Sequence, residues 1–491
     1  MTGNNSRDLA RALLARHAGG ETTAAPATTK VTEGGNGSAK ATNGSPKAMN
    51  GSATATSTAA DGNGARRGAA HTSFRDHPGV LEAAQRFGRF DTWVQQIGLV
   101  NPYYLPHEGI SGAVTRMADR DVVNFSSFGY LDLAADPRVR QAAKDAIDQY
   151  GTSAAAVRIV AGELPIYREL EAELARIYDT EAALVTASGY LTNAAAVGFL
   201  LGKRDLAVCD ALIHHSIVSG TEWSRCKRVS FRHNDPESLE TILKMSRRSF
   251  DRAMVIIEGL YSMDGDVVRL PEIIEVARRY DCSIMIDEAH SFGTLGTTGH
   301  GVRELFDLPG DAVDVWMGTL SKALGSVGGY LAGNRELVDG FKYVAGGLSM
   351  YTAAPAPSAI GAALAGLEVL RDEPERVTQL RRNSEYFHRR AREFGFDIGT
   401  SEDSPIIPVM TGADEPAVLA ALAMLQRDFS VNAITHPVVP AGEARLRFFI
   451  NCRHTEQQMD QALATLREVL DGLADTAGKQ FTLAHEEEQR S

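Results

Sequence analysis

At 491 residues, with 44% apolar and 23% charged residues, the chain is long enough for two or three domains and a large core, and its net charge of -12 excludes a generally basic nucleic-acid-binding surface. Its four cysteines, Cys209, Cys226, Cys282 and Cys452, stand far apart with no CxxC pair and no clustered histidine ligands beside them, which reads as reduced thiols in a cytoplasmic protein. No apolar run approaches the roughly 18 residues a membrane helix needs, and the N-terminus lacks the apolar stretch of a secretion signal.

In chain order, residues 1–18 hold a short amphipathic helix, since Leu9, Ala10, Leu13 and Leu14 in RDLARALLARH fall at helical spacing. Residues 19–75 are almost wholly Ala, Gly, Ser, Thr and Asn, a composition that cannot bury enough surface to offset ordering entropy and reads as a disordered linker. Residues 76–120 form an N-terminal segment. From 121 to 355 the pattern is that of a large α/β domain. It opens with a strand at Val122 to Phe125, then helices starting at Pro137 and Pro165. Seven apolar strands follow, AALVTAS, LAVCD, RVSFR, AMVIIEG, SIMIDEA, VDVWMG and GYLAG, alternating with helices in the manner of a mostly parallel central sheet. Residues 356–474 read as a smaller α+β domain, with helices Ser358 to Arg371 and Pro374 to Phe394, strands PIIPVM and RLRFFI, and a last helix Gln457 to Leu470. Residues 475–491 form a loose polar tail.

The sequence is organised around Lys322, which lies between the buried strand VDVWMG and the glycines Gly325, Gly328 and Gly329. A lysine so placed can bond covalently to a carbonyl once burial lets it lose its proton. Other strand ends carry matching chemistry. SIMIDEAH ends in Asp287 and His290, where α/β proteins bind ligands, although Asp287 would serve equally as a helix cap. TASGYLTN turns from strand to helix at Ser188, Gly189 and Tyr190, and a helix start offers free N–H groups to a phosphate. DALIHHSI sets His214 beyond another strand, and EGLYSMDGD carries Ser262. A lysine, a carboxylate, a histidine and an anion-binding helix start at one strand-end site are what a pyridoxal phosphate cofactor needs.

The motifs TLSKALGSVGGY, IDEAH, EGLYSMDGD, DALIHHSI and VVPAGEARLRF resemble the α-oxoamine synthase family of fold-type I pyridoxal phosphate enzymes, from roughly Asn101 to Leu470. NPYYLPHEG and GTSAAAVRIVAGE look more like members associated with polyketide or acyl-carrier-protein systems. The resemblance implies an aminotransferase-like α/β fold of type I with a smaller C-terminal α+β domain. It also implies that Lys322 forms the internal aldimine, Asp287 pairs with the pyridinium nitrogen and His214 stacks on the ring. His290 and Ser262 would lie near the phenolic oxygen, with Ser188, Gly189, Tyr190 and Thr319 at the phosphate. Thr352 would reach the phosphate of a second subunit, which implies a homodimer with shared active sites. Arg447 would bind the amino-acid carboxylate, and only the motif position favours it over Arg445, since the two share a strand face. Phe128 replaces a substrate-orienting asparagine of several members.

The activity so implied is a decarboxylative condensation of alanine, glycine or serine with an acyl thioester of coenzyme A or an acyl carrier protein, giving an α-amino ketone. The alternatives are an aminotransferase or aldolase-type lyase of the same fold, or a synthase-like subunit of a biosynthetic complex. For a carrier, the arginines of the Pro374 to Phe394 helix offer either a basic docking surface or a solvated helix in which Arg381, Glu385, Arg389 and Glu393 pair at i,i+4.

Overall fold

The computed structural model describes residues 74–96 and 98–488, so the helix expected in residues 1–18 and nearly all of the linker lie outside the described residues. The described residues fall into two compact units, one up to residue 98 and one from residue 99 onward. The described part of the smaller unit is a turn at Phe74–Asp76 and a helix, Pro78–Gln96, which begins at a proline whose fixed φ suits a first helical position.

In the larger unit the seven expected apolar runs become seven strands of one sheet. They are β3 (Ala182–Thr186), β4 (Leu206–Asp210), β5 (Lys227–Phe231), β6 (Ala253–Glu258), β7 (Ser283–Asp287), β8 (Val315–Thr319) and β9 (Gly329–Gly333), following β1 (Val114–Met117) and β2 (Arg120–Asn124). The spatial order is β3-β9-β8-β7-β6-β4-β5, and β9 alone runs antiparallel to its neighbours. Every residue of β4, β6, β8 and β9 is buried, which is why these strands read as continuous apolar runs and not as alternations. One core, including Leu184, Val197, Ile256, Met285, Met317, Leu331 and Phe341, lies between the sheet and its helices.

Because six strands point the same way, the chain leaves β3, β4, β6, β7 and β8 along one edge, and those five exits carry the candidate chemistry. The turn after β8 needs glycine at Gly325. Its φ is +61°, and a Cβ there would lie 2.4 Å from the backbone nitrogen of Ala134.

The C-terminal elements are the helices Pro357–Asp372 and Glu375–Glu393, strands β10 (Ile406–Gly412), β11 (Phe429–Ser430), β12 (Asn432–Ile434) and β13 (Ala444–Phe449), the helix Asp414–Leu425 and a last helix from Glu456. Strands β10, β13 and β12 form a second sheet. A third joins β1 and β2 to β11, with Phe429 opposite Val123, so the early strand expected to open the large domain sits among C-terminal elements. Phe125 fixes it there, packing on Phe387, Phe448 and His454. The last helix does not stop at Leu470: its backbone runs to Glu488. The stretch beyond has no proline to stop it, and its alanines and its run Glu486 to Glu488 are good helix formers that outweigh Gly472 and Gly478. All four cysteines are free thiols. Among the described residues no helix is long and apolar enough to cross a membrane.

Candidate active site

Lys322, Asp287, His214, His290, Ser188, Gly189, Tyr190 and Thr319 line one cavity of about 280 Å³ at the strand exits. Sequence distances among them reach 134 positions, and the parallel sheet brings them together.

At one end, the helix Gly189–Leu200 begins with Ser188 as N-cap, its hydroxyl accepting a weak hydrogen bond from Leu191 N at 3.4 Å. Among the described residues the N–H groups of Gly189 and Tyr190 have no acceptor, as expected of a first helical turn. A Cβ on Gly189 would stand 3.0 Å from Thr319 Oγ1, so the glycine keeps a cradle open. Thr319 and Ser321 hydroxyls lie 2.8 Å apart beside it, and both line the cavity. Free N–H groups, hydroxyls and a helix N-terminus fit a phosphate. The Tyr190 side chain does other work, since its hydroxyl pairs with His215 Nδ1 at 2.9 Å and Ser219 Oγ at 2.8 Å.

At the other end, Asp287 is buried at the tip of β7. Its Oδ1 accepts from Ala289 N at 2.8 Å, and its Oδ2 from Asn193 Nδ2 at 2.7 Å. Asn193 Nδ2 also donates to Ser216 Oγ at 3.0 Å, which leaves the Ser216 proton for His214 Nδ1 at 2.7 Å. The Ser216 N–H points at the same nitrogen. His214 Nδ1 is therefore an acceptor and its proton sits on Nε2. Burial and the nearby Lys322 charge lower the His214 pKa against the attraction of Asp287, so the ring is neutral. Glu258, opposite Asp287 in the β6–β7 register, is pushed well above the usual carboxyl range by burial and by Asp287.

Lys322 is half-buried. Burial lowers its pKa to about 8, although Asp287 and Glu258 attract its proton. An amine so poised can both bond to a carbonyl and take up a proton near neutrality. A phosphate cradle at one end, a buried carboxylate at the other and a desolvated lysine between them fit pyridoxal phosphate.

Four expected residues lie outside this cavity lining. Ser262 gives its carbonyl to Arg447 Nη1 at 2.9 Å, so the EGLYSMDGD turn serves the arginine. Thr352 Oγ1 donates to Gly347 O at 2.9 Å. Phe128 is 42% exposed and packs edge-on against Phe449, with ring centroids 6.1 Å apart. Arg447 stands over the Phe449 ring at 4.6 Å, and its charge is felt at both Lys322 and His290.

The choice between the two arginines now has a physical basis. Arg445 is fully engaged, bonding Asp264, Glu443 O at 3.0 Å and Met263 O at 3.1 Å. Arg447 is half-buried, its enclosed Nε has no partner among the described residues, and desolvation lowers its pKa to about 10.

The sequence reading missed Asn193, Ser216 and Ser321. Asn193 was readable as the lone amide in an Ala-rich helix one turn beyond the Ser188 cap, and Ser321 as the second hydroxyl beside Lys322. Ser216 had no signal before His214 and Asn193 were seen together.

The family model described as aminotransferase class I and II matches residues 120–466. The 8-amino-7-oxononanoate synthase of Symbiobacterium thermophilum is 38% identical over 350 residues, 71% of this chain and 88% of that protein. The Anaeromyxobacter dehalogenans (strain 2CP-1) enzyme of the same name is 42% identical over 362 residues, 74% and 90% of the two chains. Among solved structures, serine palmitoyltransferase of Sphingomonas wittichii superposes with a TM-score of 0.75 at 28% identity, covering 81% of this chain and 99% of that one. An SPT structure with PLP gives the same score over 80% and 99%.

The chain belongs to the α-oxoamine synthase family. As a family member it is a pyridoxal-phosphate-dependent acyltransferase of the type I aminotransferase fold, and it condenses an amino acid with an acyl thioester.

Proposed function

We propose that this α-oxoamine synthase joins a small amino acid, alanine before glycine or serine, to an acyl thioester with loss of carbon dioxide and free thiol, leaving an α-amino ketone. The observation that carries the reading is the shared cavity of Lys322, Asp287 and His214, with Arg447's unsatisfied guanidinium edge within electrostatic reach.

Lys322 would carry the cofactor and Asp287 would hold a proton on its ring nitrogen. His214 would lie against the ring, His290 beside its oxygen, and Ser188, Gly189, Tyr190 and Thr319 around its phosphate. The chemistry pyridoxal phosphate supplies when bound is an electron sink for charge left at the amino acid Cα. Arg447 binds the substrate carboxylate through two parallel N–H donors and so orients the Cα–H bond. Lys322 Nζ takes that proton, a role suited to an amine with a pKa near 8. The Cα attacks the thioester carbonyl and expels thiol, and carbon dioxide loss followed by reprotonation completes the balance.

Phe128, where several relatives orient substrate through an asparagine, lines the approach to the amino acid and acyl chain. A second copy of the chain, reached by Thr352, would complete each site in a cytoplasmic homodimer. The thioester is one of an acyl carrier protein or of coenzyme A. Of the Pro374 to Phe394 arginines, Arg376 is buried against Asp136, Arg381 pairs with Glu385, Arg389 with Glu393 and Arg390 with Glu393 and Asp460, while Arg382 and Arg392 are exposed without an ion pair among the described residues.

The test is to mix the purified yellow protein with each small amino acid and a panel of coenzyme A and carrier thioesters, following cofactor absorption and product mass. A ketone of the expected mass with stoichiometric carbon dioxide supports the reading. Carbon dioxide release without thioester points to a lyase, and an unchanged spectrum with every amino acid overturns the reading at its first step.

A further inference from the structure

Tyr130 has no part in the chemistry above and does not line the cavity, yet its hydroxyl lies 2.7 Å from His290 Nδ1. Its ring is fully buried and packs edge-on to Phe449, with centroids 6.0 Å apart. The backbone around it is pinned by the C-terminal elements. Cys452 N donates to Tyr130 O at 2.8 Å, Asn451 Nδ2 to Gly129 O at 2.6 Å, and Arg376 Nη1 to Leu131 O at 3.1 Å.

Burial keeps the phenol protonated at any working pH. The same burial, with the charges of Lys322 and Arg447, keeps His290 neutral. A neutral imidazole has one N–H and one bare nitrogen, and a buried phenol proton needs an acceptor. Among the described residues His290 Nδ1 is the only hydrogen-bond partner of the Tyr130 hydroxyl. If Nδ1 carried the imidazole proton, the phenol proton would be buried without a partner. His290 Nε2 has no hydrogen-bond partner among the described residues, and the ring lines the cavity.

We infer that Tyr130 donates its hydroxyl proton to His290 Nδ1 and thereby fixes His290 as the Nε2–H tautomer, aiming one hydrogen-bond donor into the cofactor cavity. Tyr130 is thus a positioning residue, acting through His290. The inference rests on the cavity being the cofactor site proposed above. It also links the two faces of that site, because the phenol is held by the same C-terminal strand end, at Phe449, that carries Arg447.

The test is to label histidine with ¹⁵N in the holoenzyme, assign His290 by comparison with His290→Gln, and read which ring nitrogen carries the proton. The expected result is a bare Nδ1 and a protonated Nε2. In Tyr130→Phe, which keeps the ring and loses the hydroxyl, His290 becomes a mixture of tautomers and the cofactor absorption maximum shifts. A protonated Nδ1 in the unaltered protein, or an unchanged His290 spectrum in Tyr130→Phe, would overturn the inference. Should Tyr130→Phe not fold, the tautomer of the unaltered protein decides alone. The reading of the reaction is judged separately by the response to amino acids, so the two can fail independently.

Discussion

The two sides of the active-site cavity each enclose one side-chain polar atom with no partner among the described residues, Asn193 Oδ1 on the strand-exit side and Arg447 Nε on the β13 side, and only the second belongs to a charged group. On the strand-exit side, Asn193, Ser216, His214 and Asp287 form one chain of hydrogen bonds in which the identity of each donor follows from the next. On the β13 side, half-buried Arg447 has an enclosed Nε with no partner among the described residues, although Arg445 two residues earlier is bonded on every arm. The strand-exit network, closed except at Asn193 Oδ1, holds Asp287 and His214 in one orientation for a permanent occupant. The open β13 side offers an unpartnered cationic nitrogen to a group that comes and goes, and a substrate carboxylate is such a group.

The sharpest way to break this contrast is Lys322→Ala, which removes both the tether and the base. Turnover should fall by at least ~10²–10⁴-fold with the fold intact, as judged by thermal unfolding. On the open side, Arg447→Ala should raise the KM for the amino acid ~30-fold or more, about 2 kcal/mol, with the cofactor spectrum little changed. Arg445→Ala should instead lower the melting temperature, because it leaves the partly buried Met263 carbonyl and the Asp264 carboxylate without their donor. If both arginine variants changed only stability, the division between them would be wrong.

On the closed side, Asn193→Ala takes one donor from Asp287 and one from Ser216, a loss of about 1–3 kcal/mol. It should appear as weaker cofactor retention in dialysis, with little change in the KM for amino acid. A KM effect larger than the retention effect would contradict the assignment.

His233 offers a smaller, pH-dependent test in the loops behind the site. Burial opposes its charge, but hydrogen bonds to Asp210 at 2.9 Å and Asp266 at 3.0 Å prevail and raise its pKa to about 10. The folded pKa is raised, so this contribution is complete below the ordinary histidine value and is lost as pH climbs from there through about 10. Melting temperature should decline over that window more steeply than in His233→Gln. The smallest effect is expected from charge reversal at Arg389 and Arg390. Their acidic neighbours already neutralise them, so turnover with a carrier-bound thioester should stay within about twofold.

Most of the seven strands were legible because a doubly covered sheet demands apolar runs, β5 being a largely exposed edge strand, and the strand-end residues because each interrupts such a run with a polar group. What sequence could not show was pairing across distance. Tyr130 and His290 are 160 positions apart, and Asn193 and Asp287 are 94 apart. Arg445 and Arg447 share a strand face, so only their partners distinguish them. Composition misjudged the C-terminal tail, because polar residues that form helices well look like loose ends when no apolar stripe marks them.

The most direct measurement is to reduce the purified yellow protein with borohydride, digest it, and map the peptide that keeps the cofactor. The account predicts a single modified peptide, with the added mass on Lys322. Modification of a different lysine, or none, would contradict a site built on the strand exits.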